Sequence, residues 1–196
     1  MSGKAKFRSL LDLDPRRLAS NYNNAVIHHP TKETSASAFA EVQVRKIFEA
    51  INEHRSTGRL EAITFDVTSQ QAPTDNSRRR IDFQVGGYRL DANKAYRPYV
   101  LCHVEVKPHN AGPSMRKEVK TQLYNACAQT VGDDKERLVF GMTFCGSWVQ
   151  VYRMHGDAFH PITREIECRS SDGAMEILFA CRGAFELRGL LPEGTT

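Results

Sequence analysis

The chain has 196 residues, five cysteines and a formal net charge of +4. That length suits one compact domain that buries roughly 70% of its unfolded surface, so neither disulfides nor a structural metal is needed for folding. With 40% apolar and 26% charged residues, the composition excludes a disordered or fibrous chain. No apolar stretch approaches the eighteen or so residues of a membrane helix.

Basic residues open the chain, but Asp12 and Asp14 interrupt any apolar core of a secretory leader. The cysteines at 102, 127, 145, 168 and 181 are odd in number and widely spaced. Free thiols in a reducing, intracellular compartment (cytoplasm or nucleus) are expected.

Residues 5–13 predict a short helix, and residues 14–37 an irregular polar arm broken by Pro15 and Pro30. The arm, 1–37, precedes a single domain over 38–196. Val44, Ile47, Phe48 and Ile51 recur at helical steps and predict a helix over 38–54, ended by Gly58. Residues 61–69 alternate and are β-branched, which predicts a strand. A loop over 70–77 follows. Residues 79–85 alternate again, and Gly86-Gly87 predicts a turn.

Residues 98–107 form the most apolar strand candidate, stopped by Pro108. A helix is predicted over 115–130 from the spacing of Val119, Leu123, Ala126, Cys127 and Thr130. Two strands, 138–144 and 148–154, meet at Cys145-Gly146-Ser147, and a last helix is predicted over 173–187. Trp148 and Tyr152 share a strand face and are expected to pack. The expected fold is α/β, with a central mixed sheet of about five strands flanked by helices.

The chemistry concentrates on one strand. In Leu101-Cys102-His103-Val104-Glu105-Val106-Lys107, alternation sends Cys102, Val104 and Val106 to one face and His103, Glu105 and Lys107 to the other. A carboxylate and an ammonium on a buried strand need pairing or a metal. Asp82 is a lone acid on the preceding apolar strand. Two carboxylates on neighbouring strands suit Mg²⁺ or Mn²⁺, which takes oxygen ligands and retains water. Lys107 would then stabilise charge on phosphate or assist the attacking water. Gln122 lies at the edge of the inward face of its helix, placed to hold phosphate or water. Glu41 lies on the inward side of the first helix, as a further metal ligand or an ordinary first-turn acid.

These residues resemble the PD-(D/E)XK nuclease superfamily, with its restriction-endonuclease-like core. Asp82 matches the first acid, Glu105-Val106-Lys107 the acid-x-lysine, Gln122 the glutamine of some branches and Glu41 the first-helix acid of others. The helix–strand–strand–strand–helix–strand order covers residues 38–153. The resemblance implies divalent-metal phosphodiester hydrolysis of DNA or RNA, by an endonuclease. It departs in Ile81, where the family has proline, and in the long interval from Asp82 to Glu105. If Gly86-Gly87 closed a hairpin, Asp82 would oppose Asp91, making Asp91 a rival or auxiliary ligand.

Flanking cations, Arg78, Arg79 and Arg80 before Asp82 and Arg116, Lys117 and Lys120 on the helix of Gln122, are candidates for backbone-phosphate contacts. Their ordinary reading is a solvated charged face. His28 and His29 are expected to be exposed, although some viral members of the superfamily use an N-terminal histidine on metal. His103-x-Glu105 lacks the P-C-x-x-C of zinc deaminases, and no phosphate loop, dinucleotide fingerprint, zinc array or G-x-S-x-G is present. Nucleic acid is thus the expected partner, with no membrane; a homodimer or larger assembly is left open. The alternatives are an inactive nuclease-like domain that binds nucleic acid or protein, and an interaction domain in which Glu105 and Lys107 merely pair.

Overall fold

The computed structural model describes residues 15–56, 66–69, 81–90, 96–134 and 136–168. The elements are α1 (Pro15–Asn23), a π-helical turn (Asn24–His28), α2 (Glu33–Ser56), β1 (Asp66–Ser69), β2 (Phe83–Leu90), β3 (Tyr96–Lys107), α3 (Pro113–Val131), β4 (Leu138–Cys145), β5 (Trp148–His155), β6 (Ala158–Pro161) and β7 (Ile166–Glu167). One mixed sheet runs β1-β2-β3-β4-β5-β6, with β7 also paired to β5. Among the described strands only the β3–β4 pair is parallel. A parallel pair needs a crossover, and α3 supplies it.

The alternation of β2 to β5 sorts their side chains onto two helix-covered faces. On one, Ala36, Ala40, Val44, Ile47 and Phe48 of α2 pack on Phe83, Val85, Val104, Val106, Met142 and Val151. On the other, Leu123, Cys127 and Val131 of α3 pack on Val139, Tyr152 and Met154. Both faces of β4 are covered, so it reads as a near-continuous apolar run. Pro113 starts α3, where its missing N–H is no loss, and the Gly132 N–H caps the end on the Ala128 carbonyl. Gly141 lets α3 sit close: a Cβ there would lie 2.8 Å from Leu123 Cγ and Cδ2.

Three expectations are corrected. Among the described residues the sheet has seven strands rather than about five, because the outer edge of β5 is taken by β6 and β7. These are four and two residues long, too short to show a period. Gly86-Gly87 is not a turn but lies inside β2, opposite Val100 and Tyr99. The pairing shifts between Val85 and Gly86, which leaves Leu101 as an extra residue on β3. Interior strand glycines often mark such a bulge.

The stretch 14–37 is also not irregular. It carries α1 and the π-helical turn, and α2 begins at Glu33 rather than residue 38. Pro15 sits at a helix start, where proline is well tolerated. Ala25 and Phe39 are buried against each other, with Tyr22 edge-on to Phe39 at 5.9 Å. The Tyr22 hydroxyl donates to Glu167 Oε1 at 3.0 Å, tying α1 to β7.

The expected helices over 5–13 and 173–187, strand residues 61–65, the Gly58 stop, the 70–77 loop, Arg78, Arg79, Arg80, Asp91 and Cys181 lie outside the described residues. The other four cysteines are buried thiols. Among the described residues, no helix is long and apolar enough to cross a membrane.

Candidate active site

Register brings the two predicted acids together. Phe83 pairs with Val104, so Asp82, one residue earlier, falls opposite Glu105 in the antiparallel phase. Asp82 Oδ2 accepts a 2.7 Å hydrogen bond from the Val106 N–H, and its carboxyl is hydrogen-bonded to that of Glu105. Two ionised carboxylates are acceptors only, so a pair this close favours a shared proton or a cation between them. Glu105 is 4% exposed. Burial raises the Asp82 pKa, as does the charge of Glu33; the Val106 N–H, Lys107 and the Glu105 hydrogen bond oppose it.

Lys107 follows Glu105 by two residues at the end of β3. Its ammonium donates to Glu33 Oε2 at 3.3 Å. Glu33 opens α2, where an acid favours the helix dipole. Its approach to β3 is fixed by the chain before it, because the Asn110 N–H donates to the Pro30 carbonyl at 3.1 Å. The loops before α2 and after β3 are thereby joined beside Lys107.

The row continues across the sheet. Glu105 pairs with Thr143, and Thr143 with Gln150. Thr143 is hydrogen-bonded to Tyr152, whose hydroxyl also donates to Gln150 Oε1. One side of Glu105 therefore meets a satisfied polar network, and the other meets Asp82. Two residues back on the same face, His103 is fully buried with Nε2 2.7 Å from Thr130 Oγ1. Burial lowers its pKa to about 3, which keeps the ring neutral.

Gln122 sits on a flank of α3. Lys120 lies over the Tyr152 ring at 5.6 Å and Tyr124 stands edge-on to Phe159, so those two face β5 and β6. At about 100° per residue, Gln122 is on the flank away from those two. Its Nε2 donates to Glu118 Oε1 at 3.0 Å, while its Oε1 is buried without a partner.

Glu41 is not brought to the pair. It bonds Arg45 at 3.0 Å, and Arg45 also reaches Asp66 of β1 at 4.0 Å. It lies eight residues beyond Glu33 on the same helix, about 12 Å along the axis. Glu33 is the α2 acid that sequence reasoning missed. Its signal was the lone acid following Pro30, hidden inside a stretch read as an arm. Arg116 is engaged, donating to Glu165 Oε1 at 2.6 Å and the Ala111 carbonyl at 3.1 Å. Lys117 and Lys120 are exposed, as are His28 and His29. Tyr152 is buried and Trp148 packs on Val119, Ala111 and Cys145, as expected of core residues.

Among the described residues, no group of three or more His, Cys, Asp or Glu is arranged to hold a metal. The donor set of Asp82 and Glu105 nonetheless fits a hard divalent ion, which takes one or two carboxylates and fills its shell with water and substrate oxygen. Comparison with family models, curated proteins and solved structures finds no match.

Proposed function

We propose that the chain is a divalent-metal-dependent nuclease of the restriction-endonuclease-like kind, hydrolysing phosphodiester bonds of DNA or RNA. One observation carries the reading: Asp82, just before β2, meets Glu105 of the adjacent β3, and Lys107 closes the same strand. The order of α2, three antiparallel strands, α3 and a strand parallel to β3 agrees with the core that the resemblance implies.

Asp82 and Glu105 would hold Mg²⁺ or Mn²⁺. When bound, such an ion polarises a phosphoryl oxygen and acidifies water. A bound cation would relieve the repulsion between the two carboxylates. The Val106 N–H holds Asp82 Oδ2, which leaves Oδ1 as the oxygen that would ligate. Lys107 stabilises the negative charge that grows on the phosphate, and burial of Glu105 strengthens these interactions by excluding water. The unpartnered Oε1 of Gln122 is an acceptor that can orient the attacking water. Lys117 and Lys120, exposed on α3, would contact backbone phosphates farther along the bound strand.

The test is incubation with labelled single- and double-stranded DNA and RNA in Mg²⁺, Mn²⁺ or EDTA. Cleavage should require metal. It should fall by about 10²–10³-fold or more in Lys107→Ala, and be abolished in Asp82→Asn and Glu105→Gln. A Lys107→Ala protein that cleaves at the native rate overturns the assignment. Binding without cleavage in either metal gives the inactive-module reading, which the engagement of Lys107 by Glu33 favours.

A further inference from the structure

The contact between Glu33 and Lys107 joins the first residue of α2 to the last residue of β3. The Lys107 side chain is 14% exposed, whereas Glu33 is 47% exposed. The stem of Lys107 is thus largely covered while its contact with Glu33 lies at the surface, where Glu33 has room to swing into solvent. Glu33 bonds this cation directly, and Asp82 lies near enough to feel its charge. A phosphodiester oxygen approaching Lys107 has the same charge as the Glu33 carboxylate and seeks the same N–H donors. We infer that Glu33 is a latch on Lys107, occupying its ammonium until a backbone phosphate displaces it. The inference rests on the nuclease reading for its ligand class and goes beyond it in naming what guards the lysine.

A partly exposed ion pair is weak, so the latch lowers affinity modestly and yields readily to a polyanion. The test is a double-mutant cycle on binding of fluorescein-labelled single- and double-stranded DNA and RNA oligonucleotides in EDTA. It compares the native protein, Glu33→Gln, Lys107→Met and the double variant, each checked for folding by thermal melting. Glu33→Ser, which retains a good helix-start residue, repeats the measurement should glutamine disturb α2.

Glu33→Gln should bind about two- to fivefold tighter than the native protein. In the Lys107→Met background that gain should vanish. An equal gain in both backgrounds would show only general removal of negative charge and overturns the latch, as does no gain at all. No binding by any protein overturns the latch and the nuclease reading together. Cleavage in Mg²⁺ or Mn²⁺ with an additive cycle overturns the latch alone; a coupled cycle without cleavage keeps the latch and overturns hydrolysis.

Discussion

Gly141→Ala tests how closely α3 must approach the sheet. The new Cβ would lie 2.8 Å from Leu123 Cγ and Cδ2 and 2.9 Å from Cδ1. Leu123 is fully buried, so its branched end cannot rotate into solvent; either it leaves its rotamer or α3 moves outward. Overpacking of this kind costs about 1–3 kcal/mol, and the stiffer unfolded chain of alanine returns about 0.4–1 kcal/mol. The net loss should be about 1–2 kcal/mol, or roughly 2–8 °C in Tm for a chain of this size. Urea unfolding should show a lower midpoint with unchanged slope. Leu123→Ala alone should cost about 2–5 kcal/mol by leaving a cavity. In the double variant the added methyl enters that cavity, so the total loss should be smaller than the sum by about 1–2 kcal/mol. Additivity within about 0.5 kcal/mol, or a Gly141→Ala protein as stable as the native one, refutes the close-approach reasoning.

Three further outcomes are expected. His103 has a folded pKa near 3 against about 6.5 unfolded. The unfolded chain therefore binds the proton first, and stability should fall as pH drops from about 6.5 toward 3, by about 2 kcal/mol at pH 5. Urea titrations in EDTA should show that component in the native protein and not in His103→Gln; parallel pH profiles would refute it. Asp82 has the opposite sign: its folded pKa is raised above 3.8, so its contribution is full below the unfolded value and is lost as pH rises through the folded one. Asp82→Asn should accordingly melt no lower than the native protein at pH 8 while losing any rise in Tm on adding Mn²⁺; a Tm that still rises with Mn²⁺ places the ion elsewhere. Lys117→Ala and Lys120→Ala should each weaken oligonucleotide binding similarly across sequences and reduce its salt dependence by about one phosphate contact, read by fluorescence anisotropy at several salt concentrations. Unchanged salt slopes would remove both lysines from the interface.

Much of the fold was legible because its strands carry period-two patterns and α3 a clean helical one. The faces of β3 were readable from Cys102, Val104 and Val106 against His103, Glu105 and Lys107, and the core divides along that line. Local pattern failed where tertiary contact decides the conformation. Gly86-Gly87 has the composition of a turn, yet pairing with Val100 and Tyr99 holds it in a strand. The arm reads as polar because, among the described side chains of residues 19–28, only Ala25 is fully buried. Asp82 and Glu105 were recoverable as lone acids on apolar strands. Glu33 was not, because its nearness to Lys107 depends on the Pro30–Asn110 link between two loops, which no periodicity encodes.

The meeting of Asp82 and Glu105 depends on one residue that touches neither acid in the strand pairing. From Gly86 to Leu90 the paired positions of β2 and β3 sum to 186; from Phe83 to Val85 they sum to 187. Leu101 is the residue that makes the difference. Carried on without the bulge, the first phase would set Asp82 opposite Val104, whose side chain lies in the α2-facing core. A one-residue slip exchanges the faces of a strand, so Asp82 and Glu105 would then point to opposite sides of the sheet. With the bulge, Leu101 and Cys102 both join the α2-side core, and the acids fall on the same side. Gly86 and Gly87 sit where the register changes and carry no side chains to resist the stronger local twist. The glycine pair that looks like a turn is thus placed where β2 must yield for the two carboxyl groups to meet.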